Sequence, residues 1–289
     1  MRSISLATSI AAIALGLAGC AIIVAPGEDI QFKTAFSEHA VQGDGQVLTE
    51  ARTVEGVAQL DMRGPLQLEV RVGEANALQV EADSNLLPLI RTQVVNGTLR
   101  VWLESEVRTD HAVKVRWSVP QLSQITTAGS GRLSVTGLNG GPLTLSKSGS
   151  GTSTISGRVG ILNVQASGSG ELDARELESG NANLSLAGSG SIRVGKVSAE
   201  SLNVRLRGSG QLQATGAVER LNANLVGSGD ARLNDVRSVH AELSTTGSGD
   251  ISASVERSLI AQTTGSGSIT VYGNPAQRNI SGRHVKVVN

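Results

Sequence analysis

Asp230 and Asp250 are the residues of this 289-residue sequence whose type and spacing best suit chemistry. Each directly follows a Gly-Ser-Gly tripeptide, and Glu171 has the same place after an earlier one. If these tripeptides lie one above another, the two aspartates stand about 5 Å apart. Such a carboxylate pair could share a cation or supply the acid and base of glycoside cleavage. The alternative, which is the commoner case, is a pair of solvated aspartates beside a turn.

No other catalytic or metal-binding pattern is present in the sequence. The four histidines, His39, His111, His240 and His284, lack metal-ligand spacing. The Gly-Ser-Gly motifs lack the third glycine of a dinucleotide fingerprint, and no Gly-Lys-Ser or Gly-Lys-Thr follows them. The sequence therefore predicts a protein that is not an enzyme and that has no cofactor and no bound metal.

Cys20 is the only cysteine, and it follows a mostly apolar N-terminal segment. The tetrapeptide Leu17-Ala18-Gly19-Cys20 resembles the lipobox of bacterial lipoproteins, in which cleavage leaves the cysteine as the lipid-modified first residue. We therefore expect residues 1–19 to be a lipoprotein signal peptide and acyl chains on Cys20 to anchor the protein to a membrane. The alternative is an ordinary signal peptide with an incidental cysteine. By resemblance to lipoprotein sorting in Gram-negative bacteria, Ala21 rather than aspartate after the cysteine favours the outer membrane.

The residues that must position any site belong to a repeat. Gly-Ser-Gly occurs eight times, with spacings of 18 to 20 residues, and such a short period predicts a solenoid. The paired glycines of the motifs are Gly129 and Gly131, Gly149 and Gly151, Gly168 and Gly170, Gly188 and Gly190, Gly208 and Gly210, Gly227 and Gly229, Gly247 and Gly249, and Gly265 and Gly267.

The residues around each motif alternate between apolar and polar, as in a β-strand. Counted from the first glycine, the apolar columns lie six and four residues before it and four and six residues after it. A coil of 18–20 residues is too short for two strands and a helix, so two or three short strands per coil are expected. The sequence predicts an all-β fold, a right-handed parallel β-helix of about eight coils with an N-terminal β-rich cap.

The alternation continues through Gly-Ser-Gly, which predicts both glycines on the inward face and the serine on the outward face. Two missing side chains indicate a bend at which backbone approaches backbone. A second column holds Asn163, Asn183, Asn203 and Asn222 in consecutive coils, and stacked amides of this kind can hydrogen-bond from coil to coil.

The predicted domain boundaries follow from these patterns. Residues 20–50 are expected to be a lipid-anchored tether, 51–118 a β-rich cap, 119–271 the coils and 272–289 a C-terminal cap. Within the N-terminal cap, Asn96-Gly97 between alternating segments predicts a two-residue hairpin. Trp102 and Trp117 either cover the aliphatic core where the coils begin or, if exposed, stack on a sugar ring, and covering the core is favoured.

The charges of the chain exclude some partners. The sequence has 25 basic and 25 acidic residues, so nucleic acid and anionic membrane surfaces are poor candidates. Only five residues are aromatic, so the coils must be filled with aliphatic side chains.

The segment from Leu78 to Pro88, followed by Asn96-Gly97-Thr98-Leu99 and then by the Gly-Ser-Gly coils, resembles a bacterial family. This family is named for a putative autotransporter-adhesin head, or GIN, domain, and the resemblance covers roughly residues 50–270. It implies a β-helical fold in an exported, often lipid-anchored envelope protein of unknown function, and it supplies no catalytic residues.

Three functional hypotheses remain open. The first is a non-enzymatic, lipid-anchored envelope protein, an adhesin or surface-binding β-helix with an unidentified protein or glycan partner. The second is a scaffold or sensor that faces the periplasm and docks on another membrane protein. The third is a polysaccharide-active enzyme, for which only the fold class and the pair Asp230 and Asp250 argue. The expected location is the cell envelope, on either face of the outer membrane.

Overall fold

The computed structural model describes residues 40–288, so Cys20 and the predicted signal peptide lie outside the described residues. The first strands are short: β1 (Val41–Gln42), β2 (Val47–Arg52), β3 (Gln59–Arg63), β4 (Gln67–Val72), β5 (Ala77–Asp83), β6 (Ile90–Val95), β7 (Thr98–Leu103), β8 (Val107–Arg108), β9 (Lys114–Val119) and β10 (Gln124–Gly129). Most of the later strands are longer: β11 (Arg132–Gly140), β12 (Leu143–Gly149), β13 (Thr152–Gly168), β14 (Glu171–Ala174), β15 (Leu177–Gly188), β16 (Ser191–Gly208), β17 (Gln211–Gly227), β18 (Asp230–Gly247), β19 (Asp250–Gly265), β20 (Ile269–Tyr272), β21 (Gln277–Ser281) and β22 (Val285–Val288). One turn of 3-10 helix, Leu87–Leu89, lies between β5 and β6.

The chain forms a β-solenoid of about eight turns, as the repeat predicts. Successive coils pair in parallel, and the tripeptides stack in register, with Gly149 opposite Gly168 and Gly168 opposite Gly188. Inward-facing Leu, Val, Ile and Ala side chains fill the interior, and they form one continuous core. None of the elements in residues 40–288 is a helix long and apolar enough to cross a bilayer.

The solenoid begins earlier in the sequence than residue 119, which corrects the predicted cap of 51–118. Strands β3 and β4 already form a coil, and they pair in parallel with β10 and β11 on one side and with β7 and β9 on the other. The cap consists of the antiparallel additions: β6 on β7, β5 on β9, and β2 on β5. Residues 47–52 are therefore strand β2 and not tether. The cap pairs with the open backbone edges at this end of the sheet. Left open, such edges can pair with strands of other molecules, which leads to aggregation.

The hairpin predicted at Asn96-Gly97 is confirmed. Strands β6 and β7 pair antiparallel up to Val95 opposite Thr98, and the two turn residues have φ of +49° and +74°. A two-residue hairpin turn of type I′ requires positive φ at both of its central residues. At the other end, β21 and β22 pair in parallel with β19 and β20. Residues 272–288 therefore continue the coils, where the sequence predicts a cap.

The Gly-Ser-Gly tripeptides form a corner of each coil, and the structure differs from the prediction for their first glycine. The second glycine is buried in every motif but the first, the serines are all exposed, and the first glycines are exposed or half-exposed. The first glycines have φ between +95° and +129°, which turns the chain out of the strand alternation. The predicted close approach of backbones is confirmed. From Gly149 onward, a Cβ on either glycine would lie 2.2–2.7 Å from a carbonyl oxygen of the preceding coil.

The asparagine column is confirmed as a hydrogen-bonded ladder. The amide nitrogen Nδ2 of Asn183 donates to Oδ1 of Asn163 at 2.8 Å, and Nδ2 of Asn203 donates to Oδ1 of Asn183 at 2.8 Å. Asn222 adds the next rung, with Nδ2 3.0 Å from Oδ1 of Asn203. Each interior amide therefore donates to one coil and accepts from the other, which favours in-register stacking.

Candidate functional site

Asp230 and Asp250 lie opposite each other on β18 and β19, as the repeat predicts, but each has its own partner. The carboxylate oxygen Oδ1 of Asp250 accepts hydrogen bonds from the backbone N–H and the hydroxyl of Ser268, both at 2.8 Å. The nearest cation to Asp230 is Arg232, at 3.9 Å. Asp250 therefore ties its coil to the next one. These contacts support a structural role for the pair, and a shared cation or acid–base chemistry at this pair stays a prediction.

Residues 40–288 contain no group of three or more histidine, cysteine, aspartate or glutamate side chains that could hold a metal ion. Two of the histidines make local contacts, and those of His240 include Glu219, whose carboxylate oxygen lies 3.7 Å from Nε2. Nδ1 of His111 lies 3.0 Å from a carboxylate oxygen of the buried Asp83, and Nδ1 of His240 lies 2.6 Å from the hydroxyl of Ser258.

The two tryptophans have different environments. Trp117 on β9 is 1% exposed and covers the aliphatic core near the first coil, as predicted. Trp102 on β7 is only half-buried and lines an open groove of about 900 Å³. For Trp102 the favoured prediction is wrong, because its position in β7 places it on the outer face. Tryptophan is highly buried on average and is enriched at interfaces, so a half-buried ring on an outer face is a candidate contact for a ligand or partner.

The alternation of β7 explains why Trp102 faces outward. Leu99 and Val101 are completely buried in the core, so Arg100 and Trp102 point to the opposite face of the strand. Strand β3 alternates in the same way, with Leu60 and Met62 inward, and it places Asp61 opposite Arg100. A single outer sheet face therefore carries Asp61, Arg63, Arg100 and Trp102.

This face and the segment 103–108 enclose the groove, called the Trp102 groove below. The residues that line it are Ala40, Asp61, Arg63, Gly64, Pro65, Gln93, Arg100, Val101, Trp102, Leu103, Glu104, Ser105, Glu106, Val107 and Arg108. Glu104 at its rim is held by an ion pair with Arg91, whose Nη2 lies 2.6 Å from Oε2. The lining thus combines an apolar wall with a few polar groups at defined positions, as in small-molecule sites.

Asp61 is the most buried polar residue of the Trp102 groove. Its side chain is only 12% exposed, and Arg63 donates to both carboxylate oxygens, through Nε and Nη2 at 3.1 Å each. This hydrogen bond raises the pKa of Arg63 above its usual value. Nε of Arg100 lies 3.9 Å from the same carboxylate. Because both guanidinium groups remain about half exposed or more, they can donate to a ligand while the carboxylate holds them in place.

The charges of the Trp102 groove balance, since Asp61, Glu104 and Glu106 face Arg63, Arg100 and Arg108. The arrangement suits a neutral ligand with many hydroxyl groups better than a strongly charged one. Sequence reasoning missed Asp61, Arg63 and Arg100. The available signal was the alternation of Leu99-Arg100-Val101-Trp102, which already places the arginine and the tryptophan on one face.

Comparison with known proteins identifies the fold and the family. A family model described as "Putative auto-transporter adhesin, head GIN domain" matches residues 58–196 and 176–275. A search of curated proteins found no match to this chain.

Two solved structures resemble it over most of its length. A putative adhesin from Parabacteroides merdae has a TM-score of 0.73 at 19% identity, over 85% of this chain and 100% of its own. A putative lipid binding protein from Parabacteroides distasonis has a TM-score of 0.66 at 22% identity, over 86% of this chain and 100% of its own. At these identities the likeness shows the fold alone.

Proposed function

Because this chain belongs to the family described as "Putative auto-transporter adhesin, head GIN domain", we propose that it is an adhesin-like protein of the bacterial cell envelope that binds a neutral glycan in the Trp102 groove. The observation that carries the proposal is the half-buried indole of Trp102 beside the carboxylate that Arg63 and Arg100 hold. The protein acts by binding and not by catalysis.

The chemistry of a sugar ring fits these groups. One face of a pyranose ring presents C–H groups, which pack on an indole, while its hydroxyls can donate to Asp61 and accept from the two guanidinium groups. The charge balance of the groove disfavours ligands of high charge, since any such ligand meets like charges at close range. A groove of about 900 Å³ has room for a short oligosaccharide.

The proposal includes anchoring through lipid on Cys20 in the outer membrane. The described chain begins at Ala40, which lines the Trp102 groove. Nineteen residues, 21–39, separate it from Cys20, and a segment of that length reaches at most about 65 Å when fully extended. Labelling with a palmitate analogue, with Cys20→Ala as the control, tests the lipid. Protease treatment of intact and lysed cells tests whether the solenoid is exposed on the surface.

Glycan binding is tested with the purified full-length chain on a panel of neutral and acidic glycans. The matched control for Trp102→Ala is Tyr272→Ala, because Tyr272 is an exposed aromatic residue outside the groove. We expect Trp102→Ala to weaken binding about tenfold or more, corresponding to about 1.4 kcal/mol, and Tyr272→Ala to leave it unchanged. Equal binding by both variants would overturn the proposal. Capture of a specific envelope protein, with no glycan bound, would favour the periplasmic scaffold.

A further inference from the structure

The outer sheet face that carries the Trp102 groove continues beyond the groove. Strand β3 pairs with β10 on its other edge, and β12, β13 and β15 follow in parallel. One outward column keeps its register along these strands, from Arg100 and Asp61 through Thr126, Ser146, Gln165 and Ser185. With strands about 4.8 Å apart, this column extends about 24 Å from β7 to β15. A straight parallel sheet face therefore adjoins the groove.

A shallow depression of about 340 Å³ lies on this face. Thr126, which lines the depression, is the register partner of Asp61, which lines the groove. The depression is therefore adjacent to the groove. The polar, outward-facing residues that line it, called the polar track below, are Thr126, Ser146, Ser148, Gln165, Ser167 and Ser185. All of them are exposed or half-buried.

The polar track offers hydrogen-bonding groups and no charge. Within the five residues before each Gly-Ser-Gly corner, the outward side chains of β10, β12, β13 and β15 are Ser, Thr, Asn, Gln or Ala. The hydroxyls of Ser148 and Ser167 donate to backbone carbonyl oxygens of the preceding coil at 3.3 and 3.4 Å, so their oxygen lone pairs can still accept. The amide of Gln165 can both donate and accept. Charged side chains return to this face on β16, with Arg205 and Arg207.

Other outward parts of the same coils carry charges in pairs. Nη2 of Arg158 lies 3.1 Å from a carboxylate oxygen of Glu178, and Nη2 of Arg175 lies 2.6 Å from one of Asp173. The uncharged stretch is thus a property of one face and not of the coils as a whole. A charged ligand finds no counter-charge in the polar track, so this face favours a neutral ligand with many hydroxyl groups.

We propose that a linear neutral polysaccharide binds along the axis of the solenoid, with one segment in the Trp102 groove and the next in the polar track. The inference rests on the proposed function and extends it, since it makes the ligand an extended chain. Hydroxyl groups of successive sugars can form hydrogen bonds with successive coils, because the glycan and the track both repeat along a line. A branched or coiled glycan does not follow a straight face of about 24 Å.

The dependence of binding on glycan length tests this inference on the full-length protein. The probes are linear β-1,4-linked oligomers of glucose and of N-acetylglucosamine, from disaccharide to octasaccharide, and the measurement is isothermal titration calorimetry. We expect the octasaccharide of one series to bind about tenfold or more tightly than its tetrasaccharide, because only the longer chain reaches along the polar track. Equal affinities of the tetrasaccharide and the octasaccharide in both series would overturn the inference.

Two matched double variants separate the polar track from the groove. Ser146→Ala with Gln165→Ala removes two polar groups from adjacent coils of the track. Ser244→Ala with Gln262→Ala removes the same groups at the corresponding positions of β18 and β19, outside the depression. The first double variant should weaken binding of the octasaccharide about tenfold and leave the tetrasaccharide unchanged, since two hydrogen-bonding groups are lost. The second should change neither.

The failure of this inference can be distinguished from the failure of the proposed function. If Trp102→Ala weakens binding of every oligomer while both double variants bind like the unchanged protein, the groove binds glycan and the inference about the polar track is wrong. If no oligomer binds, the inference is wrong, and the proposed function then depends on the other neutral glycans of its panel.

Discussion

The carbonyl oxygen of Gly168 lies 2.4 Å from the position that a Cβ on Gly188 would occupy. The same oxygen accepts hydrogen bonds from the backbone N–H groups of Ser189 and Gly190, both at 3.0 Å. One carbonyl therefore joins two coils at their corner, and it leaves no space for a side chain on the coil that follows. This relationship recurs along the stack, and together with the positive φ it explains why glycine is repeated at this position.

Gly188→Val should disrupt the stack, because the new side chain meets backbone and the residue has φ of +123°. A loss of about 3 kcal/mol or more in the free energy of unfolding is expected. Ser189→Ala removes only an exposed hydroxyl and should change it by less than about 0.5 kcal/mol. Denaturant unfolding of both variants measures the difference. Equal, small losses would mean that the corner tolerates a side chain.

Asn183→Ala should destabilise the solenoid, because this amide donates to Asn163 and accepts from Asn203. The expected cost is about 1 kcal/mol or slightly more, since each neutral hydrogen bond contributes about 0.5–1.5 kcal/mol. The control is Asn224→Ala on the exposed face of β17. In thermal unfolding, Asn183→Ala should have a clearly lower melting temperature than Asn224→Ala. Equal melting temperatures of the two variants would show that the ladder does not contribute to stability.

Lys147→Leu should stabilise the protein by about 1–3 kcal/mol, because it replaces a polar side chain that is only 5% exposed with an apolar one. The pH dependence follows from the lowered pKa of Lys147. Between the folded-state pKa and the unfolded value of about 10.4, only the unfolded chain holds the proton. The stability of the unchanged protein should therefore rise with pH across this window. Denaturant unfolding across the window should show no such rise in Lys147→Leu, and an identical rise in both proteins would contradict the assignment.

Acrylamide should quench the fluorescence of Trp102 and leave Trp117 almost unaffected, because Trp117 is 1% exposed and Trp102 is half-buried. Trp102→Phe should remove most of the quenching and shift the remaining emission to shorter wavelength. A glycan that binds in the Trp102 groove should protect the unchanged protein from acrylamide. Strong quenching that remains in Trp102→Phe would show that Trp117 is accessible.

Asp250→Ala should cost about 1 kcal/mol, because it removes two hydrogen bonds from Ser268 to an exposed carboxylate. Asp230→Ala should cost less, since the nearest cation, Arg232, lies 3.9 Å away and the pair is exposed. Thermal unfolding measures both. If the unchanged protein hydrolyses a polysaccharide and Asp250→Asn abolishes that hydrolysis, the pair is catalytic instead.

Much of the coil structure could be predicted because its causes are local. Side chains of a strand alternate at every second residue, so the apolar columns identify the inward face without any knowledge of the fold. The glycine period identifies the stacking, and the stacking then places Asn183 between Asn163 and Asn203. The prediction that the first glycine of each motif faces inward is wrong, since its positive φ interrupts the alternation that the prediction extends through the corner.

The sequence alone determined the solenoid, its coil length, its inward columns, the asparagine ladder and the Asn96-Gly97 hairpin. Only the tertiary structure decided which strands become neighbours at the N-terminal end, where β3 pairs with β7 and brings Asp61 opposite Arg100. These residues are far apart in the sequence and belong to no repeat, so no local periodicity relates them. Their pairing is decided by backbone hydrogen bonds between distant strands, and the Trp102 groove exists only because of it.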